Sequence, residues 1–541
     1  MKILYFISAL LLLSSCYKGQ SVDLIIHNAK IHTVGEDDKV YEAMAIKDGK
    51  IVEVGPDRQI QNKYRADEFI DAGGKDVYPG FTDAHGHLLG LAQQRLSADL
   101  VGSKSMDEML IRLEKYAARS GKKFIVGRGW DQSLWSDSEL PDNSRLSQLF
   151  PDFPVALFRV DGHAVLVNDF LLKQLNINAN SKTDGGIIHV KDGKCTGLLI
   201  DNAMNPVYEA VPPFPENEMR AALEEIQEEL FQYGITGVHE AGINYKDIAL
   251  FKKMIDAGKL RIDLYAMLYP SAENIAFAQQ KGIYKHKNMV IRSFKVIGDG
   301  ALGSRGACLK HPYSDQPGHY GVLTTPFEKM QEIAELCETL GYQMNVHAIG
   351  DSTNRLVIDL MQNMYEIKPD HRWRIEHAQV LAPSDILRLA ETGAFPSVQP
   401  THAVTDQRWA EARLGGKRMK SAYAYRSILD QIGMIALGTD FPVESINPFL
   451  TIHAAVQRKN SENFPSGGFA PSEAITFEEC IRGMTLWPAI ASFQEARIGS
   501  LEAGKEATFV IFESPVKSTP SFQENYAYMT FIKGKKVYSG E

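Results

Sequence analysis

The stretch Phe81-Thr82-Asp83-Ala84-His85-Gly86-His87-Leu88 decides how this chain is read. It reads as a short strand whose two histidines, two residues apart, project from the same side. Gly86 between them leaves room for another segment to approach closely. An imidazole pair at this spacing suits a divalent metal, although a His-x-His pair by itself is common. Its weight comes from the rest of the chain. Seven further strand candidates begin at Ile235, Arg261, Ile291, Tyr342, Arg372, Ala394 and Met434, and helical stretches separate them. Eight strands alternating with helices are the pattern of an α/β fold, a closed (β/α)8 TIM-like barrel, in which chemistry sits at the C-terminal strand ends. His347 and His377 stand near the ends of the fifth and sixth strands, and Asp440 follows the last in ALGTD. Such independent placement at strand ends predicts one shared metal site rather than scattered structural histidines.

Outward from the barrel, the rhythm changes. VDLIIHNAKIHTV from Val22 and EAMAIKDGKIVEVG from Glu42 alternate as short strands, with Asp48-Gly49 as a hairpin turn. GSLEAGKEATFVIFES and AYMTFIKGKKVYSG repeat that pattern at the far end. Both ends are expected to meet in one small β-sandwich, formed by residues 21–77 with 498–541, beside a barrel of residues 78–497. The interval between the first and second barrel strands is too long for one βα unit. Residues from about 97 to 215 carry their own strands, FIVGRGWD and PVALFRVDGHAVLVN, and are expected to form a cap lobe over the barrel mouth.

The 541 residues are 44% hydrophobic and 23% charged, the balance of a folded globular chain rather than a membrane bundle or a disordered protein. A net charge of -9 without a long Lys/Arg run gives no electrostatic footprint for nucleic acid. The N-terminus is read separately. Lys2 and the apolar run Ile3 to Leu13 resemble a secretory leader, and Leu13-Ser14-Ser15-Cys16 resembles the lipobox of bacterial lipoproteins. That reading predicts a signal peptide over residues 1–16, acylation of Cys16, attachment to a membrane and a periplasmic address. An ordinary signal peptide or a buried helix is the alternative. The other cysteines, Cys195, Cys308, Cys337 and Cys480, lack metal-site spacing and are expected to be buried apolar residues.

Taken together, PGFTDAHGH, VHAIGD, RIEHAQ and ALGTDFP resemble the ligand motifs of the amidohydrolase superfamily, over nearly the whole chain beyond the leader. FKVIGDGALGSRGA and RVDGHAVLVN resemble the branch typified by N-substituted formamide deformylase. The resemblance implies one or two divalent ions, zinc first among them, held by His85, His87, His347, His377 and Asp440. It also implies that Lys295 on the fourth strand is a carboxylated bridge between two metals. Burial and metal charge favour the neutral amine that forms such a carbamate, while the alternative is an ammonium contacting substrate.

The implied reaction is attack of an activated water on the carbonyl of a small-molecule amide, with Asp440 as general base and then acid. Substrate contacts are expected from Trp130 and His163 of the insertion and from Arg305 after strand four. Trp130 and His163 are equally read as core residues, and Arg305 as a helix cap or a partner of Asp299. His239 and Glu240 are expected to support the ligands from strand two. A deaminase of the same superfamily and a lipid-anchored binding protein without catalysis are the competing functions. Oligomeric state is left open.

Overall fold

In the computed structural model, which describes residues 19–35, 38–136, 138–517 and 524–540, the barrel strands fall on the stretches singled out from the sequence. They are β1 (Phe81–Gly86), β2 (Ile235–Ile243), β3 (Asp263–Leu268), β4 (Met289–Ile297), β5 (Gln343–Ala348), β6 (Arg374–His377), β7 (Phe395–Val398) and β8 (Ala436–Leu437). They lie side by side in sequence order and pair in parallel throughout. The open edge is drawn shut by the chain just beyond β8, where the Asp440 amide donates to the His85 carbonyl (2.6 Å) and the His87 amide to the Phe441 carbonyl (2.8 Å). Gly86 and Gly438 make this seam possible. A Cβ on Gly86 would lie 2.4 Å from the Phe441 ring, and one on Gly438 would lie 2.5 Å from the His85 nitrogen.

Alternation along each strand separates packing from chemistry. On β4 and β5, Phe294, Val296, Met344 and Val346 enter the large hydrophobic core. Lys295 and His347 on the same strands face the cavity at the barrel mouth instead. The helices that close the βα units, such as Phe327–Leu340 and Asp351–Ile367, cover the apolar side.

The N- and C-terminal strands build two mixed sheets. In the six-stranded one, Phe509–Phe512 from the end of the chain pairs antiparallel with Asp76–Pro79 from its start. The other holds four strands, and Leu24, Ile26 and Met44 on its inner face pack with Val77, Phe509 and Phe531 of the first. Its outer face is buried too, because Val22 and Ile25 pack under Ile60 of the helix Asp57–Lys63. The turn at Asp48 and Gly49 has φ of 52° and 73°, the left-handed pair that a tight two-residue hairpin requires.

Between β1 and β2 the chain forms a third sheet of six strands. Its centre is Ile125–Trp130, Val155–Arg159, Ala164–Val167 and Lys194–Asp201. It has its own core on each face, one around Leu113, Trp130 and Leu157 and one around Phe158, Leu171 and Val207.

The expectation of a lipid anchor with a membrane-bound, periplasm-facing protein is corrected. Among the described residues the chain folds as a barrel with attached sheets, and no helix is long and apolar enough to cross a membrane. The stretch around Cys16 that suggested the anchor lies outside the described residues. Membrane attachment and the periplasmic address are accordingly withdrawn. Among the four described cysteines none is in a disulfide; Cys337 and Cys480 are buried as expected, while Cys195 and Cys308 are only half-buried.

Candidate metal centre

A cavity of about 810 Å³ opens at the C-terminal ends of the barrel strands, with His85, His87, Lys295, His347, His377 and Asp440 in its wall. One nitrogen of His85, one of His377 and one oxygen of Asp440 lie within 4.8 Å of one another, close enough to hold a common ion. His87 Nε2 is 3.1 Å from Asp440 Oδ1. The His347 and His377 ring centroids are 4.5 Å apart. The structure thus brings all six residues to one place, with His85, His377 and Asp440 as the tightest group. His377 and Asp440 have φ of 72° and 59°, left-handed backbone unusual outside glycine, which the surrounding packing must hold in place.

His85 and His377 each have one nitrogen committed to the protein, which turns the other toward the cavity. His85 Nδ1 is 2.5 Å from Glu376 Oε2, and His377 Nδ1 is 2.7 Å from Gln399 Oε1. Behind Glu376 stands Arg374, whose Nε is 2.8 Å from Oε1 and whose Nη1 donates to His239 Nδ1 (2.8 Å). His239 is thereby linked to His85 through Arg374 and Glu376. Glu240 works through the backbone instead, accepting from the Leu88 and Leu89 amides directly after His87. Asp83 accepts from the Thr439 hydroxyl (2.6 Å) and the His85 amide (3.0 Å), tying β1 to the segment that presents Asp440.

The electrostatics suit a cation. Burial pushes the His85 imidazole down to about 4, aided by Lys295, and holds His377 and His347 well below the ordinary histidine range. These rings are neutral donors at pH 7. Burial would raise the Asp440 carboxyl, yet hydrogen bonds from His402 and His87 keep it well below its usual value. Neutral imidazole nitrogens beside an ionised carboxylate are the donor set of zinc and similar divalent ions. The site fits one such ion, or two. Lys295 is fully buried, with Nζ 3.0 Å from His85 Nε2, and burial brings its ammonium down to about 8.

Sequence reading missed His402. It lies on the helix Pro400–Met419 after β7, with Nε2 3.4 Å from Asp440 Oδ2 and Nδ1 3.2 Å from Glu444 Oε1. Burial disfavours its cation, but the two carboxylates raise it to about 10, so it faces Asp440 as an imidazolium. Its position after a barrel strand, in QPTH, was the available signal. Glu376 and Gln399 were also missed, although Glu376 directly precedes His377.

The substrate candidates separate. His163 reaches the site: its ring centroid is 4.9 Å from that of His347, and its Nδ1 is 2.8 Å from Asp201 Oδ1. Trp130 does not. It is fully buried in the core of the inserted sheet, donating from Nε1 to the Leu157 carbonyl (2.7 Å). Arg305 is also away from the cavity wall and pairs with Asp315 (2.9 Å) rather than Asp299. Asp299 accepts from the Ile349 and Gly350 amides and the Thr353 hydroxyl, fixing the turn after His347.

Residues 68–538 match the model of the amidohydrolase family. Among curated proteins, Protein LONG AFTER FAR-RED 3 of Arabidopsis thaliana is 31% identical, over 96% of this chain and 92% of its own length. N-substituted formamide deformylase of Arthrobacter pascens is 25% identical, over 96% of this chain and 99% of its own. Among solved structures, an uncharacterized metal-dependent hydrolase from Pyrococcus horikoshii OT3 superposes with a TM-score of 0.74 at 26% identity, covering 92% of this chain and 99% of that one.

Proposed function

Since the chain belongs to the amidohydrolase family, we propose that this metal-dependent hydrolase of C–N bonds cleaves an amide, an N-acyl or N-formyl amine, into an amine and a carboxylic acid. The observation that carries the reading is the buried group of His85, His377 and Asp440 at the floor of a cavity large enough for a small organic molecule. Likeness to the N-substituted formamide deformylase supports the formyl or acyl amine as the substrate class.

His85, His87, His347, His377 and Asp440 would hold the ion, with Lys295 as a carbamate if two are bound. A divalent ion there supplies Lewis-acid chemistry, polarising a carbonyl and bringing the ionisation of water to about pH 7. Asp440 is the base in this reading. It is ionised, it borders the cavity, and its Oδ2 faces the His402 imidazolium, which orients the carboxylate. A proton accepted by Asp440 from the attacking water is returned to the departing amine nitrogen, so one carboxylate serves both half-steps.

The test is a screen of N-formyl and N-acyl amines with amine release as the readout, run on protein with and without added zinc. Zinc-dependent amine release from at least one of these classes is expected. Release of ammonia from ring amidines, with no amide turned over by metal-loaded protein, would overturn the reading in favour of a deaminase.

A further inference from the structure

The strand Ile125–Trp130 of the inserted sheet carries Arg128 into the wall of the same cavity. A register shift between Arg128 and Trp130 explains how. In a regular strand, residues two apart share a face, but here an irregularity at Gly129, with φ of 108°, separates them. Trp130 turns into the core of the inserted sheet and Arg128 turns toward the barrel. No larger residue would fit at the bulge, since a Cβ on Gly129 would lie 2.9 Å from the Val101 nitrogen.

The Arg128 guanidinium sits between the two parts of the molecule. A Cβ built on Gly90, three residues past His87, would be 3.9 Å from Nη1, and one on Gly162, next to His163, would be 3.3 Å from Nη2. Among the described residues it has no carboxylate at ion-pair distance, and its Nε is buried without a hydrogen-bond partner. The other arginines of the cavity wall are neutralised. Arg159 is paired with Asp131 (2.8 Å) and Asp161, and Arg408 with Asp131 (3.0 Å). Lys246 stands on the exposed rim in the field of Asp247. A half-buried guanidinium with unused donors, facing a cavity, forgoes the partners that such a group ordinarily has.

We infer that Arg128 is the anchor for a carboxylate on the substrate, so that the amide cleaved is an anionic one of the N-acyl amino acid type. The inference rests on the amide reading above and narrows it. One planar guanidinium matches one planar carboxylate through two parallel N–H···O bonds, whereas a phosphate dianion would leave charge unmatched beside Asp161 and Asp201. Tyr208, exposed and stacked on Phe158 at 5.2 Å, flanks this position and offers an apolar face to the remainder of the substrate.

The experiment compares N-formylphenylalanine with its neutral isosteres, N-formylphenylalaninamide and N-formylphenethylamine, on wild-type, Arg128→Met and Arg128→Lys protein. The ratio of kcat/KM for the acid to that for the amide is expected to favour the acid in the wild type. It should fall about 10- to 100-fold in Arg128→Met, mostly through KM, with Arg128→Lys between the two. A wild type that prefers the neutral isosteres, or a ratio unmoved by Arg128→Met in a protein with a normal melting curve, would overturn the inference. Should no amide be turned over, the reaction class fails separately, and calorimetric titration with 3-phenylpropanoate and 3-phenylpropanamide decides the anchor. Binding of the acid by wild type and its loss in Arg128→Met supports the anchor, and equal binding of acid and amide rejects it.

Discussion

The two walls of the cavity are built differently. On the barrel side, His85, His377 and Asp440 are buried and held by partners, some of which are themselves held, as in the run His239–Arg374–Glu376–His85. On the side of the inserted sheet, Arg128 has unused donors and Tyr208 is exposed. The barrel wall is finished before substrate arrives, whereas the inserted wall retains groups that a ligand can satisfy. In the function proposed above, reaction chemistry and substrate choice fall to different segments of the chain.

The comparison is sharpened most strongly on the barrel side. Stripping divalent metal with a chelator should abolish turnover and zinc should restore it, and Asp440→Asn should lower kcat by about 10²- to 10⁴-fold, or more where ion binding also weakens. Metal analysis beside turnover checks both, and near-normal rates in Asp440→Asn would break the assignment of the base.

Glu376→Gln comes next. It leaves Arg374 buried without its counter-charge, at a cost of about 3–5 kcal/mol in urea unfolding. Weaker orientation of His85 should also reduce metal affinity about 10- to 100-fold. Full stability together with full metal occupancy would show that the barrel wall is less interdependent than its geometry implies.

Substitutions in the inserted sheet should leave metal content alone. His163→Asn is expected to shift relative rates among amides by about tenfold or more, since His163 borders the site beside His347. Trp130→Phe should leave those rates unchanged and cost about 1–2 kcal/mol through its lost bond to Leu157. The reverse outcome, with Trp130 governing preference, would undo the separation at the Gly129 bulge.

The smallest effect concerns how the two walls are joined. Burial works to raise the Asp131 carboxyl, but the Arg159 and Arg408 guanidinium charges hold it below its ordinary 3.8. The unfolded chain therefore takes up this proton first as pH falls. Stability from the carboxylate is present in full above pH 3.8 and is lost as pH drops through the folded value. Because Arg408 lies on the helix after β7 and Asp131 in the insertion, hydrogen exchange in residues 125–130 should rise in this acid window before exchange in residues 343–348. Simultaneous loss of protection in both would show one cooperative unit.

Most of the barrel wall was legible from the chain alone. Eight strands were placed because buried parallel strands must be apolar and short, and because histidines at their ends stand out against that background. That contrast singled out His85, His87, His347, His377 and Asp440 as candidates, which the fold gathers at one cavity, and the hairpin at Asp48-Gly49 was read from its turn residues. His402 and Glu376 were not found. His402 sits on a helix, outside the strand-end pattern, and acquires its character only from Asp440 and Glu444 folding around it. Glu376 resembles any other acidic residue until Arg374 and His85 close upon it.

What the sequence determined by itself was the periodicity of the strands, the glycines at tight approaches and the residue types capable of holding a metal. Tertiary structure decided which side chains remain unpaired. Trp130 and Arg128 lie two apart on one strand and would be assigned the same face, yet a single bulge at Gly129 sends one into the core and the other into the cavity. Arg305 was expected to touch substrate, cap a helix or pair with Asp299, and it found Asp315 instead. Local pattern fixes a strand's alternation, but a register shift is settled by the neighbouring strands. Whether an arginine is neutralised or free depends on carboxylates from distant parts of the chain, and their arrival is a property of the folded molecule alone.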